Sequence, residues 1–216
     1  CLDKFTGQPL NLAPNELFEL NRHLFKDYYQ ELKIYGAVYG TNDMDEQKQT
    51  WTDLIYYVIC LRATQYNINA GKGYIEVEFR LDSPCAYSPQ QEKKETIQNG
   101  YGTFEVEAAF NVGNYIYPDI EFILPNGSGN VSIRNANTGE TMTFVNVPQN
   151  NKIYCYNEGY KYVQNQTDTK AYAMGMLDPN SVWLSLVDGE NLIEVAVEGT
   201  DRAEVRFLYQ NKIAIQ

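Results

Sequence analysis

The chain has 216 residues and sets 17 Lys and Arg against 28 Asp and Glu, a net charge of −11 with a single histidine. That balance excludes a nucleic-acid binder that tracks phosphates through a basic face, and it excludes a polybasic membrane anchor. No apolar run approaches the roughly 18 to 20 residues of a membrane helix, and the 18 Tyr, nine Phe and two Trp favour pleated sheet surfaces.

The first thirteen residues read as an irregular lead-in, broken by Gly7 and Pro9. Two readings of Cys1 stay open: that residues precede it, or that it is the acylated first residue of a processed lipoprotein. Pro14-Asn15-Glu16 then predicts a helix start, with Asn15 as cap. Leu17, Leu20, Leu24, Tyr28 and Leu32 fall at helical spacing, which predicts one amphipathic helix over about 15–32.

Strands are expected from there on. Ile34 to Tyr39 is β-rich, Thr41 to Thr50 reads as a loop, and the apolar run from Leu54 to Arg62 is a strand because its residues are β-branched or aromatic. Gly71-Lys72-Gly73 reads as a hairpin turn. Strict alternation follows in Ile75, Val77, Phe79 and Leu81 against Glu76, Glu78 and Arg80, then in Phe104, Val106, Ala108 and Phe110 against Glu105 and Glu107. Ile120, Phe122 and Leu124 repeat it up to the Pro125-Asn126-Gly127 turn. Val131 and Ile133, turning at Asn137-Thr138-Gly139 into Thr141 to Val147, make the next pair. Further strands are expected at 152–156, 182–186, 192–197 and 204–209, with Asp188-Gly189-Glu190-Asn191 turning between two of them. Such spacing without interleaved helices indicates an antiparallel sandwich or barrel. The stretch from Ser83-Pro84 to Gly102, with Lys93, Lys94 and Glu95, reads as a linker. It divides the chain into residues 1–88, a β domain with one helix, and residues 89–216, a β-sandwich.

Chemistry-bearing patterns are sparse. Cys1, Cys60, Cys85 and Cys155 form no C-x-x-C pair and, with His23 alone, no zinc set, so free thiols are expected. One histidine makes a Ser or Cys triad a poor fit. Glu76 with Glu78, and Glu105 with Glu107, share strand faces, yet the solvated side of an amphipathic strand explains them better than paired catalytic carboxylates. The acidic run Asn42 to Glu46 lacks the spacing of a calcium loop. No enzyme, cofactor or metal is expected. The alternation of Val182 to Leu186 sets Trp183 apart from its neighbours, at an exposed or interface position.

The stretch Gly73 to Ser88, with Asp82-Ser83-Pro84-Cys85-Ala86-Tyr87, resembles phage distal tail proteins, in which a strand ends in a D/E-S-P-x-A-Y signature where two β domains join. Gly113-Asn114-Tyr115-Ile116-Tyr117-Pro118-Asp119-Ile120 is similar to the family's G-N-x-x-x-x-P-x-I. Next in order come Gly129 to Asn135, the Asn137-Thr138-Gly139 turn and Asp188-Gly189-Glu190-Asn191-Leu192-Ile193, where the family has P-G-x-N-x-I. Val205 to Tyr209 sits at its last strand. In one respect the chain departs, because the family places several strands before the helix and about fourteen residues stand there.

The resemblance implies a non-enzymatic virion protein of the tail tip: a hexameric ring whose N-terminal domain builds the ring and whose C-terminal domain is a galectin-like, jelly-roll type sandwich. It implies a tail tube protein, a tail hub or tail-associated protein and a receptor-binding protein as partners, with DNA passing through the lumen unbound, assembly in the host cytoplasm and a part in host adsorption at the baseplate. The junction is carried onto Asp82, Ser83, Pro84, Ala86 and Tyr87, while Trp183 keeps the exposed or interface position read from its alternation. The alternative reading is a carbohydrate-binding β-sandwich anchored as a surface lipoprotein through Cys1, on the ground that flat aromatics stack on sugars. The H-N-P-R cluster and Trp-Gly-x-Glu element of sugar-binding galectins are not found in the sequence.

Overall fold

Strands make up most of the computed structural model, which describes residues 18–19, 22–39, 50–68, 72–157, 161–166 and 171–214. The chain divides between Ala86 and Tyr87 into two compact units. The first carries β1 (Gln30–Tyr39), β2 (Thr50–Ile68) and β3 (Lys72–Leu81), with the short β4 (Cys85–Tyr87) at the division. β2 is the central strand of an antiparallel trio, paired from Gln30↔Val58 to Tyr39↔Thr50 with β1 and from Val58↔Leu81 to Ile68↔Lys72 with β3. Ile55, Val58 and Cys60 are buried among its described side chains, and on β3 Glu76, Glu78 and Arg80 are exposed as the alternation predicts.

The expected helix over 15–32 is corrected. Phe18, Glu19 and the segment from Arg22 to Leu24 are helical, but the chain is irregular from Phe25 to Tyr29 and β1 begins at Gln30. Of the apolar residues that suggested one long helix, Tyr28 is exposed and Leu24 and Leu32 are only half-buried. Leu32 and Ile34 instead face β2 partners in register (Tyr56 and Leu54), so ladder hydrogen bonds to a long neighbouring strand override the helical spacing. The proposed cap Asn15, residues 41–49 of the expected 41–50 loop and Gly71 lie outside the described residues, while Thr50 is already strand, paired with Tyr39. Lys72 and Gly73 open β3 and pair with Ile68 and Asn67, so they are strand and not turn.

The second unit is an antiparallel sandwich. Its strands are β5 (Gln91–Gln98), β6 (Tyr101–Ala108), β7 (Asp119–Ile123), β8 (Gly129–Asn135), β9 (Thr141–Val147), β10 (Ile153–Tyr156), β11 (Tyr162–Asn165), β12 (Ala171–Tyr172), β13 (Gly189–Glu198) and β14 (Arg202–Tyr209), with a 3-10 turn at Met174–Met176. They form a six-stranded sheet in the order β12-β11-β10-β7-β14-β5 and a four-stranded sheet in the order β6-β13-β8-β9. Alternate residues of both sheets meet in one core: Phe104 of β6 stands edge-on to Phe207 of β14 at 5.7 Å, and Phe122 of β7 lies 4.8 Å from Phe144 of β9. Such inward faces, stacked about 10 Å apart, are what a sandwich of two twisted sheets buries.

Two features of the sequence take on meaning here. Asn99-Gly100, both at positive φ (56° and 75°), is the corner at which the chain leaves β5 in one sheet for β6 in the other. Gly129 opens β8 beside β13, where a Cβ would overlap the Glu198 carbonyl, so only glycine permits that approach.

Three expectations change. Gln91 to Gln98, read as linker, is β5, paired with β14 along its whole length from Tyr209↔Gln91 to Arg202↔Gln98. It lies at the border of its sheet, where polar side chains remain solvated. Val182 to Leu186 forms no strand; Leu186 makes one bridge, to Ile116, and the Glu140 carboxylate takes the place of a ladder by accepting from the Ser185 amide (2.6 Å) and hydroxyl (2.7 Å). The turn expected at 188–191 ends by Gly189, because Glu190 and Asn191 already pair with Glu107 and Val106 in β13.

Candidate functional site

The solvent face of the six-stranded sheet gathers the charged and aromatic groups of the second unit. Its strands alternate: β14 buries Ala203, Val205 and Phe207, β7 buries Ile120 and Phe122, and β10 buries Ile153 and Cys155. The intervening residues Glu204 and Arg206, Asp119 and Glu121, and Tyr154 and Tyr156 therefore project to the other side. Arg206 stands opposite both Lys94 of β5 and Glu121 of β7, and Glu121 stands opposite Tyr154 of β10.

Arg206 is the hub. Its Nη2 donates to Glu92 Oε2 at 2.8 Å, its Nε lies 2.8 Å from Glu92 Oε1, and its Nη1 lies 3.6 Å from Glu121 Oε1. Lys152 Nζ meets the other oxygen of Glu121 at 2.8 Å, and Lys94 Nζ is 3.7 Å from Glu204. Glu121 is buried, so two cations compensate a charge that would otherwise be costly to desolvate. The hydrogen bond from Arg206 holds the Glu92 carboxyl below the usual carboxylate range, and Glu92 in turn holds the guanidinium proton more tightly. These side chains border a groove of about 490 Å³.

A tyrosine ladder flanks the charges. Tyr154 and Tyr156 have ring centroids 4.3 Å apart, and Tyr156 stacks on Tyr162 of β11 at 4.3 Å and 18°. The Tyr154 hydroxyl donates to Asp119 Oδ2 at 3.0 Å, while Asp119 Oδ1 accepts the Asn157 amide at 2.8 Å. Burial, then the Asp119 charge and hydrogen bond, push the Tyr154 phenol well above its ordinary range. The site thus offers fixed donors and acceptors beside an aromatic wall.

A scan against protein-family models and a search of curated proteins both find no match to this chain.

The residues singled out from the sequence lie elsewhere. Asp82 is exposed, with its amide donating to the Tyr57 carbonyl at 2.9 Å; Ser83 Oγ is 2.9 Å from Cys85 Sγ; Pro84 is exposed, whereas Ala86 and Tyr87 are buried on either side of the division. Trp183 is half-buried and packs against the sandwich core, with Lys161 Nζ 5.9 Å from its ring and 4.6 Å from that of Tyr117. Strict alternation fails around it, since Leu184, Ser185 and Leu186 are all buried. Glu76, Glu78, Glu105 and Glu107 are exposed, and Glu78 pairs with Arg62 at 3.1 Å. Among the described residues no group of three His, Cys, Asp or Glu gathers to hold a metal ion, and no helix is long and apolar enough to cross a membrane.

None of the groove residues was singled out from the sequence. The available signal was parity: Glu92 and Lys94, Glu204 and Arg206, and Tyr154 and Tyr156 are each two apart within a strand and so share a face. Cys60, Cys85 and Cys155 are free and buried. Burial raises the Cys155 thiol far above its ordinary range, so the reactive thiolate is scarce in the folded state. Cys155 is expected to resist a thiol reagent at pH 8 and to react fully in denaturant, as peptide mapping will report. Because the unfolded thiol ionises at lower pH than the folded one, stability from this group is complete below the ordinary thiol range and declines as pH rises beyond it.

Proposed function

We propose that this chain is a structural, non-enzymatic protein of a phage tail tip, forming a ring that joins the tail tube to the baseplate and host-recognition apparatus. The observation that carries this reading is a coincidence: the Asp82-Ser83-Pro84-Cys85-Ala86-Tyr87 signature, where the distal tail family joins its two β domains, spans the point at which this chain divides into two β units. An antiparallel sandwich following that junction agrees with the family's C-terminal domain. In such a ring, acidic side chains facing the lumen would let DNA pass unbound. The tail tube protein, a hub protein and a receptor-binding protein are the partners this role requires.

Light scattering on this chain and on a form extended upstream tests the proposal. A mass near six copies in the extended form is the expected result; a monomer in both, with no binding to a tail tube protein, would overturn it.

A further inference from the structure

We infer that Asn126 is a site of spontaneous covalent modification, at which the folded chain turns a neutral amide into a carboxylate and so records its age. The inference is independent of whether the chain assembles into a ring. It starts from the sequence. The side-chain Cγ of an asparagine is open to attack by the backbone nitrogen of the next residue, and a glycine there brings no Cβ to obstruct the approach. Only Asn99 and Asn126 precede a glycine in this chain.

The structure separates the two. At the corner between β5 and β6, the Gly100 amide donates to the Asp201 carbonyl at 3.0 Å, and the Gly100 carbonyl accepts from the Val197 amide at 2.8 Å. The nitrogen that would attack Asn99 is thus already engaged, and it is released only when the corner opens. Asn126 is exposed in the turn from β7 to β8, and the Gly127 amide has no hydrogen-bond partner among the described residues. Anchors lie on either side of that peptide instead. Gln149 Nε2 donates to the Pro125 carbonyl at 2.9 Å, and the Gln149 amide donates to Ser128 Oγ at 3.0 Å. Asn126 Nδ2 donates to Asp201 Oδ1 at 3.2 Å, an exposed bond that water replaces at little cost.

In the reaction the Gly127 nitrogen bonds to Asn126 Cγ and gives up its proton, and the side-chain nitrogen leaves as ammonia, which closes a cyclic succinimide. Water opens that ring at either carbonyl, giving aspartate or, with the main chain rerouted through the side chain, isoaspartate. One water is consumed and one ammonia is released, with no oxidant or cofactor. Either product sets a carboxylate against Asp201 where a donor stood, so like charges meet in place of a hydrogen bond. Isoaspartate also lengthens the main chain just before Gly129, whose backbone packs too closely on the Glu198 carbonyl to admit a Cβ.

The test is peptide mapping by mass spectrometry of the full chain after incubation in mildly alkaline buffer, once folded and once in guanidinium chloride. Isoaspartate is counted in parallel by enzymatic methyl labelling. In the folded chain Asn126 is expected to lose its side-chain nitrogen at least about tenfold faster than Asn99, and in guanidinium chloride the two rates should agree within about threefold. Gly127→Ala should slow the loss at Asn126 by about tenfold or more, because the added Cβ obstructs the attacking nitrogen. The fold accepts that change: Gly127 is not at positive φ, and a Cβ there stands 3.4 Å from Thr200 Cβ, an ordinary contact. If Gly127→Ala nevertheless melts well below the parent, Asn126→Gln carries the comparison, and isoaspartate should vanish from its peptide. The inference is overturned by equal rates at Asn99 and Asn126 in the folded chain, by loss of nitrogen at Asn126 without isoaspartate, or by Gly127→Ala converting as fast as the parent.

Discussion

Phe122→Ala is expected to destabilise the sandwich by about 3 to 5 kcal/mol, the range for deleting a fully buried phenyl ring. Phe122 is 1% exposed, projects from the middle of β7 and meets Phe144 of the opposite sheet at 4.8 Å, so the vacated space is walled by both sheets. Neither sheet can close over it without losing ladder register, and the cavity term adds to the lost burial. In urea the midpoint should fall while the slope stays unchanged, and the melting temperature should drop by about 10 °C. Phe122→Leu, which refills most of the volume, should recover over half of the loss. A loss under about 1 kcal/mol for the alanine variant would place Phe122 outside the core.

Asn191→Leu is expected to cost about 3 kcal/mol although it exchanges a polar residue for an apolar one of similar size at a fully buried site. The Asn191 side chain replaces a turn's backbone bonds: Oδ1 accepts from the Val187 amide at 2.9 Å and from Asn135 Nδ2 at 3.0 Å, and Nδ2 donates to the Val187 and Gly189 carbonyls at 2.8 and 3.1 Å. Asn135 passes the network on to the Ser185 carbonyl at 2.7 Å. Leucine leaves several buried groups unpaired at once. The Asn135→Leu/Asn191→Leu double variant should therefore cost less than the sum of the singles, because each single already breaks the shared bond. Full additivity by urea unfolding would refute the shared network.

Elements set by short-range alternation were legible in the sequence. Phe104, Val106 and Ala108 of β6, and Ile120 and Phe122 of β7, face the core as their spacing requires. What was not legible depended on partners distant in the chain. Leu24, Tyr28 and Leu32 carry helical spacing, yet β2 supplies a ladder that claims Leu32 for a strand. Val182 to Leu186 has strand composition, but Glu140, some 45 residues earlier, captures its backbone. The groove was hidden for the same reason, because Arg206 and Glu92 are 114 positions apart and meet only through the pairing of β5 with β14. A run such as Glu92-Lys93-Lys94-Glu95 looks like a linker until its neighbour is known.

That run has a consequence for crowding. β5 ends its sheet, and a bordering strand offers unpaired amides and carbonyls to any passing segment of similar shape. Here an arriving strand would have to lay its side chains beside Glu92, Lys93, Lys94 and Glu95, desolvating charges of both signs on both faces. Lys93 is paired with Glu95 at 3.2 Å on one face and Arg206 with Glu92 on the other, so the charges are already spoken for. Copies of this sandwich held at high local concentration would thus be kept from zipping together along this border into a continuous sheet.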